Sequence, residues 1–199
     1  MRDLETESLW SHILGRCMEG DLAGETLSFL PGTVTTWSDW RERYPDSTVL
    51  DLSRTAFDFK RLAFSDPTHF VIGIKVGLQI KAYTYAYLSQ HPIVQESVAG
   101  TPILVAFDPE STRAYVYDRS LDGGVVQFED RYVDGYLRDQ QTGGHWDPWS
   151  GRAVKGDHEG RELSAEYGII SYRRAWTQFY PDSAIVDLVE PGADGVNSP

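Results

Sequence analysis

The chain has 199 residues, 41% of them hydrophobic, with 6 Trp, 11 Tyr, 8 Phe and a net charge of -12. That much apolar side chain supports a core and excludes global disorder, while so negative a surface repels phosphate backbones and anionic lipid and excludes a general nucleic-acid binder. The single cysteine, Cys17, permits no internal disulfide and no CxxC site, and the sequence holds no run of eighteen apolar residues for membrane insertion.

In chain order, residues 1–52 open with a loop carrying Gly15, Gly20, Gly24 and Gly32. Trp37, Trp40 and Tyr44 then fall at i, i+3 and i+7, which predicts a short helix. Thr36 is its candidate N-cap and Pro45 its stop, because the residue before proline avoids the α region. A short strand is expected at 48–50. Residues 53–68, with Asp66-Pro67, read as a connector. Residues 69–138 are strand-like. A β-branched run at 69–76 breaks at Gly77, and 78–88 alternates, with Ile80, Ala82, Thr84 and Ala86 opposite Tyr83, Tyr85 and Tyr87. Gly100-Thr101-Pro102 turns into a strand at 103–107. A hairpin is expected between 114–117 and 125–128. Residues 139–188 form a second module, and 189–199 a flexible tail.

The second module is a copy of the first. Residues 3–52 laid over 139–188, without a gap, are identical at 18 of 50 positions. The matches include Asp3 and Asp139, Thr6 and Thr142, Trp10 and Trp146, Gly15-Arg16 and Gly151-Arg152, Trp40 and Trp176, and Tyr44-Pro45-Asp46-Ser47 and Tyr180-Pro181-Asp182-Ser183. Glycines that fix backbone positions and tryptophans that supply buried area are structural residue types, so this is a duplicated scaffold. The second copy follows about seventy residues of strands and the first follows none. The expectation is therefore a truncated first copy (1–52), a connector (53–68), a strand-rich unit with the second copy (69–188), and the tail. Read as complete, the chain is soluble and cytoplasmic; read as a fragment of a longer secreted form, it is extracytoplasmic.

Three groups of residues are candidates for chemistry. His91, His145 and Asp147 could form a divalent-metal or acid–base site, although none of the five histidines falls at a metal-ligand spacing such as HxxxH. Tyr83, Tyr85 and Tyr87 read as core, with a partner surface or a ligand platform as alternatives if their strand face is open. Arg16 and Arg152 follow matched glycines and read as anion-binding or structural. No cofactor is required by any motif. Cys17, aligned with Ala153, reads as a small buried residue.

The sequence resembles the prokaryotic domain-of-unknown-function family number 3179. The resemblance rests on Glu5-Thr6-Glu7-Ser8-Leu9-Trp10-Ser11, Gly20-Asp21-Leu22-Ala23-Gly24, Thr35-Thr36-Trp37 with Trp40, Tyr44-Pro45-Asp46-Ser47, Lys81-Ala82-Tyr83 and His91-Pro92-Ile93-Val94. It implies no activity. In that family the strand equivalent to 103–107 runs into a Cys-Pro-x-Cys or Cys-Pro-x-Thr segment, where this chain has Asp108-Pro109-Glu110-Ser111-Thr112. The resemblance thus implies that any chemistry of that cysteine is lost here.

The expected fold is α+β and β-rich, with a central, mostly antiparallel sheet and two pseudo-symmetric glycine/tryptophan-rich modules that each carry one short helix. The function reads as a non-catalytic binding or structural domain with a protein partner or self-association. Two alternatives stand beside it: an enzyme using His91, His145 and Asp147, and an assembly subunit completed by strand exchange with another chain.

Overall fold

A computed structural model describes residues 1–49, 66 and 69–188. In chain order the elements are β1 (Leu9–Ser11), β2 (Arg16–Glu19), α1 (Trp37–Arg43), β3 (Phe70–Val76), β4 (Gln79–Thr84), α2 (Tyr85–Gln90), β5 (Ile93–Val98), β6 (Thr101–Asp108) and β7 (Arg113–Asp118). They continue with β8 (Ser120–Leu121), β9 (Gly124–Val125), β10 (Leu137–Arg138), β11 (His145–Asp147), β12 (Arg152–Lys155), β13 (Ser164–Glu166), β14 (Gly168–Tyr172), α3 (Arg173–Phe179) and β15 (Ala184–Val186). The fold is α+β and β-rich. The connector apart from Asp66, Leu50 of the expected strand at 48–50, and the tail from 189 lie outside the described residues.

The strand-rich region forms two four-stranded sheets where one central sheet is expected. One runs β14-β3-β4-β15 and the other β13-β7-β6-β5. All pairs are antiparallel except β4 with β15. Strand alternation sends Ile72, Ile74 and Tyr83 of the first sheet toward Ile103, Val105 and Phe107 of the second, and these close the main core. The opposite faces are buried too. Leu104, Ala106 and Tyr117 pack on Phe128 and Leu137 and, in the second module, on Trp146. Val71 and Ala82 pack on Trp176 and Tyr180 of α3, with Ile13 and Leu14 of the first module beside them. Gly73 is the seat of that last contact: a Cβ there would stand 2.0 Å from the Trp176 ring.

Two expectations for this region need correction. The alternation at 78–88 does not continue as strand, because the Thr84 side chain accepts from the Tyr87 amide (3.1 Å) and caps α2. Tyr83 and Tyr85 are buried in the main core, and Tyr87 stacks on His91 at 4.4 Å. The three tyrosines therefore form no open platform. The expected hairpin between 114–117 and 125–128 is also replaced. Both edges of β7 are taken by β6 and β13, so the hairpin shrinks to β8–β9, and Phe128 packs edge-on against Trp146.

The three helices among the described residues end alike, on an aromatic ring followed by proline: Tyr44-Pro45, His91-Pro92 and Tyr180-Pro181. Their cap residues share one backbone conformation, φ -130 and ψ 73, φ -127 and ψ 72, and φ -133 and ψ 65. Each ring folds back on the aromatic residue four positions earlier, at 4.6, 4.4 and 4.5 Å. Proline blocks the next helical turn, and the ring pair fixes where the chain leaves.

The duplicated modules superpose bond for bond. In the first, Asp3 accepts from the Thr6 amide (2.7 Å), the Thr6 hydroxyl and the Trp10 indole (2.9 Å). In the second, Asp139 accepts from the Thr142 amide (2.6 Å), the Thr142 hydroxyl and the Trp146 indole (3.1 Å). The hairpins β1–β2 and β11–β12 place a bulge at equivalent residues, and their backbone bonds correspond: Gly15 to Ser11 with Gly151 to Asp147, and Leu27 to Gly15 with Leu163 to Gly151. Gly15 (φ 63) and Gly151 (φ 68) need the left-handed region and also seat a ring, Phe29 in one copy and Tyr117 in the other. The copies part after this. Residues 27–36 and 48–49 form no strand, whereas their counterparts form β13, β14 and β15 on the edges of the two sheets. A strand needs a neighbour to pair with, and among the described residues, 27–36 and 48–49 pair with no strand.

The clasp carboxylates give the fold an acid limit. The Thr6 amide and then the Trp10 indole lower the Asp3 pKa from 3.8 to about 2. Burial pushes Asp139 up, but the Thr142 amide, the Trp146 indole and the Thr142 hydroxyl outweigh it, and its pKa is also lowered. A carboxylate with a depressed folded pKa stabilises the fold fully above its unfolded value, and that stability is lost as pH falls through the folded value. Urea unfolding should therefore show stability falling from about pH 4 toward about pH 2. At neutral pH Asp139→Ala should cost about 3 kcal/mol, because it strands the buried indole N–H and the Thr142 amide. Asp3→Ala, at the surface, should cost less; equal losses would contradict this account.

Candidate functional site

The helices of the two copies are exchanged. Tyr180, at the end of α3, donates its hydroxyl to the Ile13 carbonyl (3.1 Å) in the hairpin turn of the first module. In return α1 lies over the hairpin turn of the second module, with Trp149 6.2 Å from the Trp40 ring and 6.0 Å from Tyr44, edge-on. Trp149 aligns with Ile13, so each helix sits on the other copy's turn. The two contacts have different backing. Trp176 and Tyr180 are 0% and 9% exposed because the first sheet lies behind them. Trp40 and Tyr44 are 36% and 43% exposed, Trp37 is exposed as well, and no residue of α1 is buried.

Charge supplies what packing does not. Thr36 caps α1 by accepting from the Asp39 amide (3.2 Å), which fixes Asp39 on the first turn. Arg113, nearly buried at the start of β7, donates from Nη1 to both Asp39 oxygens at 2.9 Å and lies 3.3 Å from Asp108. Its guanidinium is stacked over Trp149, 4.3 Å from the ring centre. One turn along, Arg43 pairs with Asp147, which also accepts from the Ser150 hydroxyl (2.8 Å) and the Trp149 amide (3.3 Å). Burial lowers the pKa of the Arg43 guanidinium, but Asp147 and the nearby Tyr44 more than offset it and leave it raised. Two crossed ion pairs thus tie α1 to the rest of the chain.

Arg113 borders two clefts. One, about 310 Å³, lies among Asp39, Glu42, Arg43 and Trp149; the other, about 380 Å³, lies among Asp108, Glu110, Tyr132, Gly135 and Pro148. Burial pushes the Tyr115 and Tyr132 hydroxyls well above their ordinary range, against an opposing effect of Arg113. Both stay protonated at neutral pH. A third concavity, about 390 Å³, opens beside Thr33, Thr35, Trp37 and Trp40. The arrangement places exposed rings around an arginine that already holds a carboxylate.

The residues expected from sequence to form a site fall elsewhere or in other roles. Among the described residues no group of three His, Cys, Asp or Glu side chains is placed to hold a metal ion. His91 stacks on Tyr87, His145 lies parallel to Tyr136 at 5.8 Å, and Asp147 is engaged by Arg43 and Ser150, so the structure does not bring the three together as a ligand set. Arg16 and Arg152 are exposed on β2 and β12 and form no ion pair with a described residue. Cys17 is buried, as expected. Arg113 and Trp149 were not found from sequence. One signal was available: α1 carries Asp39 and Arg43 where α3 carries Ala175 and Phe179, and charges added to a duplicated helix mark a contact the other copy does not make.

The family model described as Protein of unknown function (DUF3179) matches residues 1–61 and 58–193, and the chain belongs to that family. Each matched stretch holds one copy of the repeat. No curated protein and no solved structure matches the chain. Among the described residues no helix is long and apolar enough to cross a membrane.

If the ion pair between Asp39 and Arg113 holds α1 in place, the two residues are energetically coupled. A double-mutant cycle with Asp39→Asn and Arg113→Gln, read by urea unfolding, should give a coupling of about 1–2 kcal/mol. Additive losses would show that the Asp39–Arg113 pair does not hold α1.

Proposed function

We propose that this chain is a non-catalytic binding domain that engages a partner protein through the face formed by α1 and the turn of the second module. The observation that carries the reading is the contrast between the copies. The same Trp and Tyr that are 0% and 9% exposed in α3 are 36% and 43% exposed in α1, with Trp37 and Trp149 adding to the same face. Single exposed rings are ordinary on a protein surface. Several aromatic rings around a paired arginine have the composition of an interaction hot spot. Partly buried rings with charged groups at the rim also suit recognition better than permanent burial.

The test is a thermal-shift screen of peptides and folded proteins against the wild-type chain and against a Trp37→Ser/Trp40→Ser variant. Both substitutions lie on exposed positions, so the variant should keep its fold. Ligands found with the wild type should bind the variant at least about tenfold more weakly. Unchanged binding, or near-stoichiometric metal found by elemental mass spectrometry on tag-free protein, would overturn the reading.

A further inference from the structure

We propose that Arg113 and Trp149 form a carboxylate-binding seat for an acidic and aromatic segment of a partner protein, and that α1 is the internal occupant such a segment displaces. This rests on the binding reading above and names its ligand. The seat has supports outside α1. Arg113 is nearly buried, is fixed on its far side by Asp108 and stacks on Trp149, so its remaining donors point in a set direction. Asp39 fills that direction with both carboxylate oxygens at 2.9 Å. Trp40, the next residue, lies 6.2 Å from Trp149. The ligand chemistry is thus written in α1 itself: a carboxylate followed directly by an aromatic ring. The occupant is removable, since α1 has no buried residue and depends on Asp39 and Arg43, charges that the other copy's helix lacks.

The probe is a fluorescein-labelled peptide with the sequence of residues 33–47, titrated by anisotropy at low salt. In the wild-type chain the tethered α1 competes at high effective concentration. The full-length Asp39→Asn chain should therefore bind the peptide at least about tenfold more tightly than wild type does. A second peptide, with asparagine in place of the aspartate at position 39 and the aspartate at position 46 kept, should lose about tenfold in affinity, and this arm requires no change in the protein. Equal binding of the two peptides, no binding to the Asp39→Asn chain, or unchanged binding after adding Arg113→Gln would overturn the seat. If screened ligands still depend on Trp37 and Trp40 while the two peptides bind alike, the seat is wrong and the binding face stands.

Discussion

The constraint on which the rest depends is the aspartate clasp that opens each module. A tryptophan indole has one donor, and burying the ring without a partner for it is costly. Asp139 supplies that partner and also holds Thr142, so one carboxylate fixes the loop, the indole and the start of the hairpin together. With Trp146 seated, the outer face of the sheet containing β6 and β7 is closed by Phe128, Leu137 and Leu163. The same clasp at Asp3 builds the first module, and this lets its hairpin turn present Ile13 and Leu14 to α3.

From that shared start the copies reach different ends. The second continues into β13, β14 and β15, completes both sheets and buries Trp176 over Gly73. The first continues into an irregular stretch, whose Phe29 stacks on Tyr167 at 4.1 Å and whose Thr33 hydroxyl accepts from the Ala114 amide at 3.1 Å, and then into a helix held by ions and rings. Identical side chains therefore act as core in one copy and as surface in the other. What decides the role is the presence of a sheet behind them. The aromatic face proposed for binding follows from this difference.

Much of this was legible in the sequence because backbone-determining residues carry local information. Gly15 and Gly151, the prolines after Tyr44 and Tyr180, and Thr36 as a cap all act within a few residues of where they stand. The strands at β3 and β6 were equally clear from unbroken apolar runs. Thr84 was misread because a threonine in an alternating run fits a strand, and only its bond to the Tyr87 amide reveals a cap. The site was hidden for a different reason. Arg113 meets Asp39 across 74 positions, Arg43 meets Asp147 across 104, and no local pattern encodes either. The duplication supplied the one indirect clue, through positions where the copies disagree in charge.

Amide hydrogen exchange across the chain tests the central claim most directly, since it reads how each copy is held. The account predicts that the amides of Ala153 and Leu163 exchange only with global unfolding. The α1 amides of Trp40 and Tyr44 should exchange through a smaller opening that salt accelerates, while those of Tyr180 and Ser183 after α3 stay protected. Equal protection of α1 and α3, unmoved by salt, would contradict it and would make the first module as much a part of the core as the second.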